Sequence, residues 1–175
     1  MSITQRNFKY EGIIDVYLPV SRQEDETCRC LMKNNPLICL GLNPSTANAQ
    51  NADATIKRVE GYVKISGFDC IAMINLYPLR ETRQDKLPFN KDEETYRRNI
   101  EIITESICSL NVSSILVATG EDVNKRRYLK GTLKEIIELD KTKEMKWLCI
   151  GKTKDGYPGH SYRAIAAYNP DKLLK

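Results

Sequence analysis

Residues 36–45 read PLICLGLNPS, an apolar run that ends in Gly41-Leu42-Asn43-Pro44-Ser45. Pro36 to Leu40 show no polar alternation, the mark of a strand buried on both faces. Gly41, Asn43 and Pro44 then force a sharp turn where that strand ends. In an open α/β sheet, ligands bind beyond the carboxyl ends of the strands. The turn therefore sets the amide of Asn43 where a binding or reaction centre is expected. Ser45 and Thr46 follow at once and add hydroxyls.

Working outward, strand and helix patterns alternate. The spacing predicts strands over 37–42, 70–75, 113–118 and 145–150. Helices are predicted over 53–66, 92–110 and 121–139, with Gly131 a weak point in the last. Gly67 stops the first helix. A short helix over 161–168 closes the chain. Ahead of the first buried strand, Phe8 to Val20 and part of Thr27 to Met32 read as a β-hairpin around a charged turn. Four buried strands joined by helical crossovers imply a three-layer α/β/α fold. Its centre is a four-stranded parallel sheet, with the N-terminal β-hairpin added. Without an internal repeat or linker, residues 1–175 are read as a single domain.

Composition sets loose bounds. Of 175 residues, 41% are hydrophobic and 29% charged, ordinary for a globular chain large enough for a real core. A net charge of +4 permits an anionic partner without demanding one. No apolar run approaches the ~20 residues of a membrane span. The start, MSITQRNFKY, has no signal-peptide apolar segment. Six reduced cysteines in a cytoplasmic protein are therefore expected. Cys28 and Cys30 form a poor zinc pattern because no second ligand pair accompanies them. No metal and no cofactor is expected.

The four strand ends deliver a coherent set. The first brings Asn43, the second Asn75 and Tyr77, the third Thr119 and Gly120. The fourth brings a loop with Tyr157 and the chain's single histidine, His160. Amides pair with a base edge, an aromatic ring stacks on a base face, and a donor stabilises charge on a leaving base. The set thus suits a neutral heterocycle. Each member also has a plainer reading: Asn-Pro after a strand is an ordinary turn, and Asn75 caps a bend. Lys125, Arg126, Arg127 and Lys130 read as a solvated helix face. The functional reading rests on convergence. Asp53 is the carboxylate nearest to Asn43 in sequence.

Several stretches carry a family resemblance. They are LNPSTA (42–47), ADATIKR (52–58), Gly67-Phe68, INLYPLRET (74–82) and GKTKDGYPGH (151–160). In order and spacing they resemble domain of unknown function family 1643. More remotely, Gly41-Leu42-Asn43-Pro44 resembles the first motif of the uracil-DNA glycosylase superfamily, whose Asn positions the attacking water. Asn75-Leu76-Tyr77-Pro78-Leu79 is similar to the motif of the single-strand-selective branch, whose Asn reads the base edge. His160-Ser161 resembles the second catalytic motif, whose His stabilises the departing base. Ser45 stands where the superfamily has Gly, and the superfamily's proline after the histidine is missing. The resemblance implies a uracil-DNA-glycosylase-like fold with these motifs at the carboxyl edge of the sheet.

It further implies a DNA glycosylase-like hydrolase that cleaves the N-glycosidic bond of a base in DNA, modified or not, flipped into a pocket. Asn43, His160 and Asp53 are the catalytic candidates. Asn75, Tyr77, Ser45, Thr46 and Tyr157 are the substrate-binding candidates. Arg80, Arg83, Lys152, Lys154 and Arg163 would meet phosphates. Two alternatives stay open: a non-catalytic nucleotide or nucleic-acid binding module on the same fold, and a hydrolase of free nucleosides or nucleotides. Repair and defence against modified foreign DNA both fit. No membrane and no obligate protein partner is indicated.

Overall fold

The computed structural model describes residues 14–17, 35–46, 54–68, 70–158 and 165–174. Its strands are β1 (Ile14–Tyr17), β2 (Pro36–Gly41), β3 (Cys70–Asn75), β4 (Ser114–Val117), β5 (Lys146–Ile150) and β6 (Ile165–Ala167). All six join one sheet in the order β1-β3-β2-β4-β5-β6. β2 runs parallel to both β3 and β4, and β4 parallel to β5. β1 lies antiparallel on β3, and β6 antiparallel on β5.

The α/β class therefore holds, and the four strands read as central, β3-β2-β4-β5, run parallel to one another; β1 and β6 add antiparallel neighbours, so that among the described residues the sheet is six-stranded and mixed. Open rows of backbone N–H and C=O groups on β3 and β5 would each need a partner. Ile14–Tyr17 supplies one by pairing with β3, so among the described residues this segment is a sheet edge whose partner is β3 and not the hairpin strand expected within 27–32. That second hairpin strand lies outside the described residues. Ile165–Ala167 supplies the other, where a helix over 161–168 was expected. The spacing of Ile165 and Tyr168 mimics a helical stripe, but the unpaired edge of β5 takes this segment into the ladder. Residues 161–164 lie outside the described part.

Helices cover both faces because the strands alternate between two apolar clusters. Helix α1 (Ala54–Ser66) buries Ile56, Val59 and Val63 against Leu37, Cys39, Ile71, Met73, Leu116 and Ile150. Gly67 ends it with φ 76°, a left-handed conformation that glycine adopts without strain. Helices α2 (Glu93–Ser109) and α3 (Arg127–Glu138) cover the other face. There Tyr96, Ile103, Ile107, Leu129, Leu133 and Ile136 meet Ile38, Leu40, Ala72, Ile74, Ile115 and Val117. Burying each such side chain contributes about 1.5–3 kcal/mol. Asp92 caps α2, its carboxylate accepting the Thr95 N–H at 2.8 Å, and Glu93 and Glu94 favour the same end of the helix dipole.

The helix expected over 121–139 is broken. Gly120–Lys125 forms a 3₁₀ turn, Arg126 is extended at φ −141° and ψ 133°, and α3 starts only at Arg127. Gly120 enters the turn with φ 62°. The break lets Val123 drop into the core, and it turns Arg126 toward the loop after β3. A four-residue helix, α4 (Asp140–Lys143), follows. Among the described residues, no helix is long and apolar enough to cross a membrane.

Candidate functional site

The parallel core aligns the exits of β2, β3 and β4 on one edge. Gly41 sits beside Asn75 in the ladder, and the pairing continues beyond the strands. Leu76 N–H donates to the Gly41 carbonyl and Tyr77 N–H to that of Leu42, both at 3.0 Å. Gly41 and Asn75 continue the strand face that carries Leu37, Cys39, Ile71 and Met73, the face covered by α1. A cleft of about 250 Å³ opens there, between the sheet edge and the first turn of α1. Gly41, Leu42, Asn43, Ser45 and Thr46 line it from β2 and its exit, and Met73 from β3. Thr55, Gln84, Ala118, Thr119 and Asp122 complete it.

Asn43 is the hub of this edge. The residue is 9% exposed. The amide nitrogen donates to the carbonyls of Pro44 (3.0 Å), Leu79 (3.2 Å) and Glu81 (2.7 Å). Three surrounding carbonyls leave no choice about which amide atom is the nitrogen. Glu81 N–H donates to the Pro44 carbonyl at 3.0 Å, and the Arg80 guanidinium donates to the Ser45 carbonyl, so the two exit loops are sewn together. Asn43 Oδ1, in contrast, is buried without a hydrogen-bond partner among the described residues. Asn75 Oδ1 is the second such atom, on a residue 6% exposed. Buried acceptors left unpaired cost about 1–3 kcal/mol each, so both are candidates for a role in binding.

Gly41 makes room for the second of them and for the Met73 methyl. A Cβ there would lie 2.6 Å from Asn75 Oδ1 and 2.5 Å from the Met73 methyl. Gly41→Ala is expected to cost about 1–3 kcal/mol through overpacking, read as a lowered midpoint of thermal unfolding. An unchanged midpoint would mean that the Asn75 amide and the Met73 methyl swing clear.

The other expected residues fall in different places. Ser45 and Thr46 line the cleft. Tyr77 does not: the residue is 2% exposed, its ring packs on Tyr128 with centroids 4.6 Å apart, and its oxygen accepts the Asp92 N–H. Coming after an alternating strand, its side chain enters the α2–α3 core instead of offering a stacking face. Tyr157 packs against that same cluster, within the turn closed by the Thr153 N–H to Tyr157 carbonyl bond at 2.8 Å. Nearby, burial first, then the Cys149 and Tyr157 groups, push the Tyr168 hydroxyl up to about 12. Asp53, His160 and Arg163 lie outside the described residues, as do Cys28 and Cys30.

Of the basic candidates, Arg80 reaches the cleft-lining Ser45. Arg83 is exposed and paired with Asp85 at 2.8 Å, which holds that carboxyl below its usual range. Lys152 and Lys154 are exposed on the loop after β5, with Lys152 Nζ 5.7 Å from the Tyr168 ring centroid. Among the described residues, no three His, Cys, Asp or Glu side chains gather as metal ligands.

Sequence reasoning passed over four contributors. Asp122 lies two residues past Gly120, inside what read as a helix start. Extending the strand-end rule by one turn would have found it. Gln84 sits in an irregular loop with no signal. Asn99 interrupts the apolar stripe of α2, and its buried amide donates to the carbonyls of Asn75 (3.3 Å) and Leu76 (3.1 Å), fixing the β3 exit. Arg126, read as part of a solvated face, holds the loop after β3 through carbonyls of Asp85, Leu87 and Pro88.

A family model described as "Protein of unknown function (DUF1643)" matches residues 25–161. No curated protein and no solved structure matches the chain.

Proposed function

The chain belongs to the DUF1643 family, and on that premise we propose that it is a DNA glycosylase-like hydrolase that cleaves the N-glycosidic bond of a base in DNA. The observation that carries this reading is the pair of buried, unpartnered amide oxygens, Asn43 Oδ1 and Asn75 Oδ1, on neighbouring strand exits. Asn43 Oδ1 accepts a hydrogen bond from the attacking water. Asn75 is not among the residues that line the cleft; its Oδ1, packed beside Gly41, would accept one from a ring N–H or amino group of the base. A cleft of about 250 Å³ is below the ~300–1,000 Å³ of drug-sized pockets and suits a single flipped base. The uracil-DNA-glycosylase-like arrangement of the three motifs would add His160 as donor to the departing base. Asp53 remains a catalytic candidate by sequence proximity. Arg80, Arg83, Lys152, Lys154 and Arg163 would meet the backbone phosphates.

A second reading has its own support. The Asn43 amide nitrogen is fully occupied in joining two loops, which suffices to explain an Asn at that turn in a non-catalytic nucleotide or nucleic-acid binding module.

The test is incubation with oligonucleotides bearing normal, deaminated and bulky modified bases, scored for abasic sites, with affinity measured across salt. Base release is expected from at least one of them. Log affinity should fall with log salt by about 0.9 per phosphate contact on duplex and about 0.7 on single strands. Salt-sensitive binding with no base release on any member would favour the binding module. No binding at low salt would favour free nucleosides or nucleotides.

A further inference from the structure

We propose that Asp122 is the carboxylate of the cleft and takes the proton from the water that Asn43 holds. The inference rests on the hydrolase reading above. Hydrolysis of an N-glycosidic bond needs a group to accept a water proton, and the residues directly at the strand exits, 41–46, 75–77 and 119–120, include no acid. Among the described residues that line the cleft, Asp122 carries the one formal charge. It shares that lining with Asn43, Gly41 and Thr119.

Its position is built, not incidental. Gly120 turns the chain at φ 62° directly after β4, and Val123, with no exposure, pins the 3₁₀ turn to the core. Asp122 stands between these two anchors. Lys125 Nζ binds Asp122 Oδ1 at 2.7 Å in a part-exposed ion pair. Oδ2 remains to accept a proton. The side chain is 40% exposed, so the carboxylate is open to water and small anions.

The step balances as follows. The water oxygen bonds to the anomeric carbon as the carbon–nitrogen bond of the base breaks. The bonding pair leaves on the base nitrogen. The water proton passes to the Asp122 carboxylate and from there to solvent or to the departed base. The sugar keeps the hydroxyl.

The experiment uses the full chain and the oligonucleotide from the panel above that the parent cleaves fastest, under single-turnover conditions. Asp122→Asn should slow base release by roughly 10²–10⁴-fold, the range for losing a general base. Oligonucleotide affinity and the thermal midpoint should stay at parental values. In Asp122→Ala, added formate should restore part of the rate, because a small carboxylate can occupy the vacated space. Asp53→Asn is measured alongside. Parental cleavage by Asp122→Asn, or a collapse seen only in Asp53→Asn, would overturn the assignment while leaving the hydrolase reading intact. Loss of cleavage in Asp122→Ala with no response to formate, together with a lowered midpoint, would make Asp122 a structural partner of Lys125 and overturn it too. If the parent releases no base from any member of the panel, the hydrolase reading fails and this inference with it.

Discussion

Asn43→Ala is expected to lower base release on the order of 10²-fold or more, because an unheld water loses most of the advantage of proximity. Affinity for the oligonucleotide should change little, since the residue orients water and not phosphate. The structure adds a second consequence. The carbonyls of Pro44, Leu79 and Glu81 lose their shared donor, at a cost of about 1–3 kcal/mol. For a domain of this size that is a fall of roughly 2–12 °C in midpoint. The two effects separate in Asn43→Asp. That variant retains an oxygen acceptor and the volume, but puts carboxylate oxygen against carbonyl oxygens, so its midpoint should fall further than that of the alanine variant. Rates are compared well below both midpoints. If a substrate is found and Asn43→Ala cleaves it normally despite a lowered midpoint, Asn43 is a loop fastener only.

Arg126→Met is the second large effect, on the scaffold of the site. The guanidinium donates through Nε to the carbonyls of Leu87 and Pro88, both at 3.0 Å. Nη2 donates to those of Asp85 (2.7 Å) and Leu87 (2.6 Å), and Nη1 to that of Lys125 (2.8 Å). This one side chain ties the loop containing cleft-lining Gln84 to the start of α3. Hydrogen bonds to a charged group contribute about 1.5–3 kcal/mol, and those of one guanidinium do not add independently. A loss of about 2–4 kcal/mol is expected, read as a lowered midpoint and as earlier proteolytic cutting between 79 and 90. Arg126→Lys should recover little, because a single ammonium cannot span a fan of carbonyls. A parental midpoint in Arg126→Met would show that the loop is held by its own packing.

Much of the architecture was legible in the chain. β3 spans Cys70–Asn75 as read, β2 and β4 differ from expectation by one residue at each end, and β5 by one residue at its start. Continuous apolar runs bounded by Gly, Asn and Pro leave little freedom about where a doubly covered strand begins and stops. The sheet edges were only partly legible: Ile14–Tyr17 falls within the strand read over 8–20, but its pairing with β3 was not read. Ile165–Ala167 carries a local pattern compatible with a helix, and its state depends on the unpaired edge of a strand fifteen residues earlier. Nor could the break at Arg126 be read locally, because the partners of its guanidinium are carbonyls about forty residues away.

The same division runs through the site. The amino-acid sequence by itself determined the family, the α/β class and the arrival of Asn43, Ser45 and Thr46 at a cleft, since a strand followed by Gly-Leu-Asn-Pro must end in a turn at the sheet's carboxyl edge. Only the tertiary structure decided what each side chain does there. It spent the Asn43 nitrogen on three loop carbonyls and left its oxygen unpaired. It sent Tyr77 into the core and brought Asp122 to the cleft. The physical reason is that hydrogen-bond partners and burial are set by neighbours distant in sequence, which periodicity and turn chemistry do not encode.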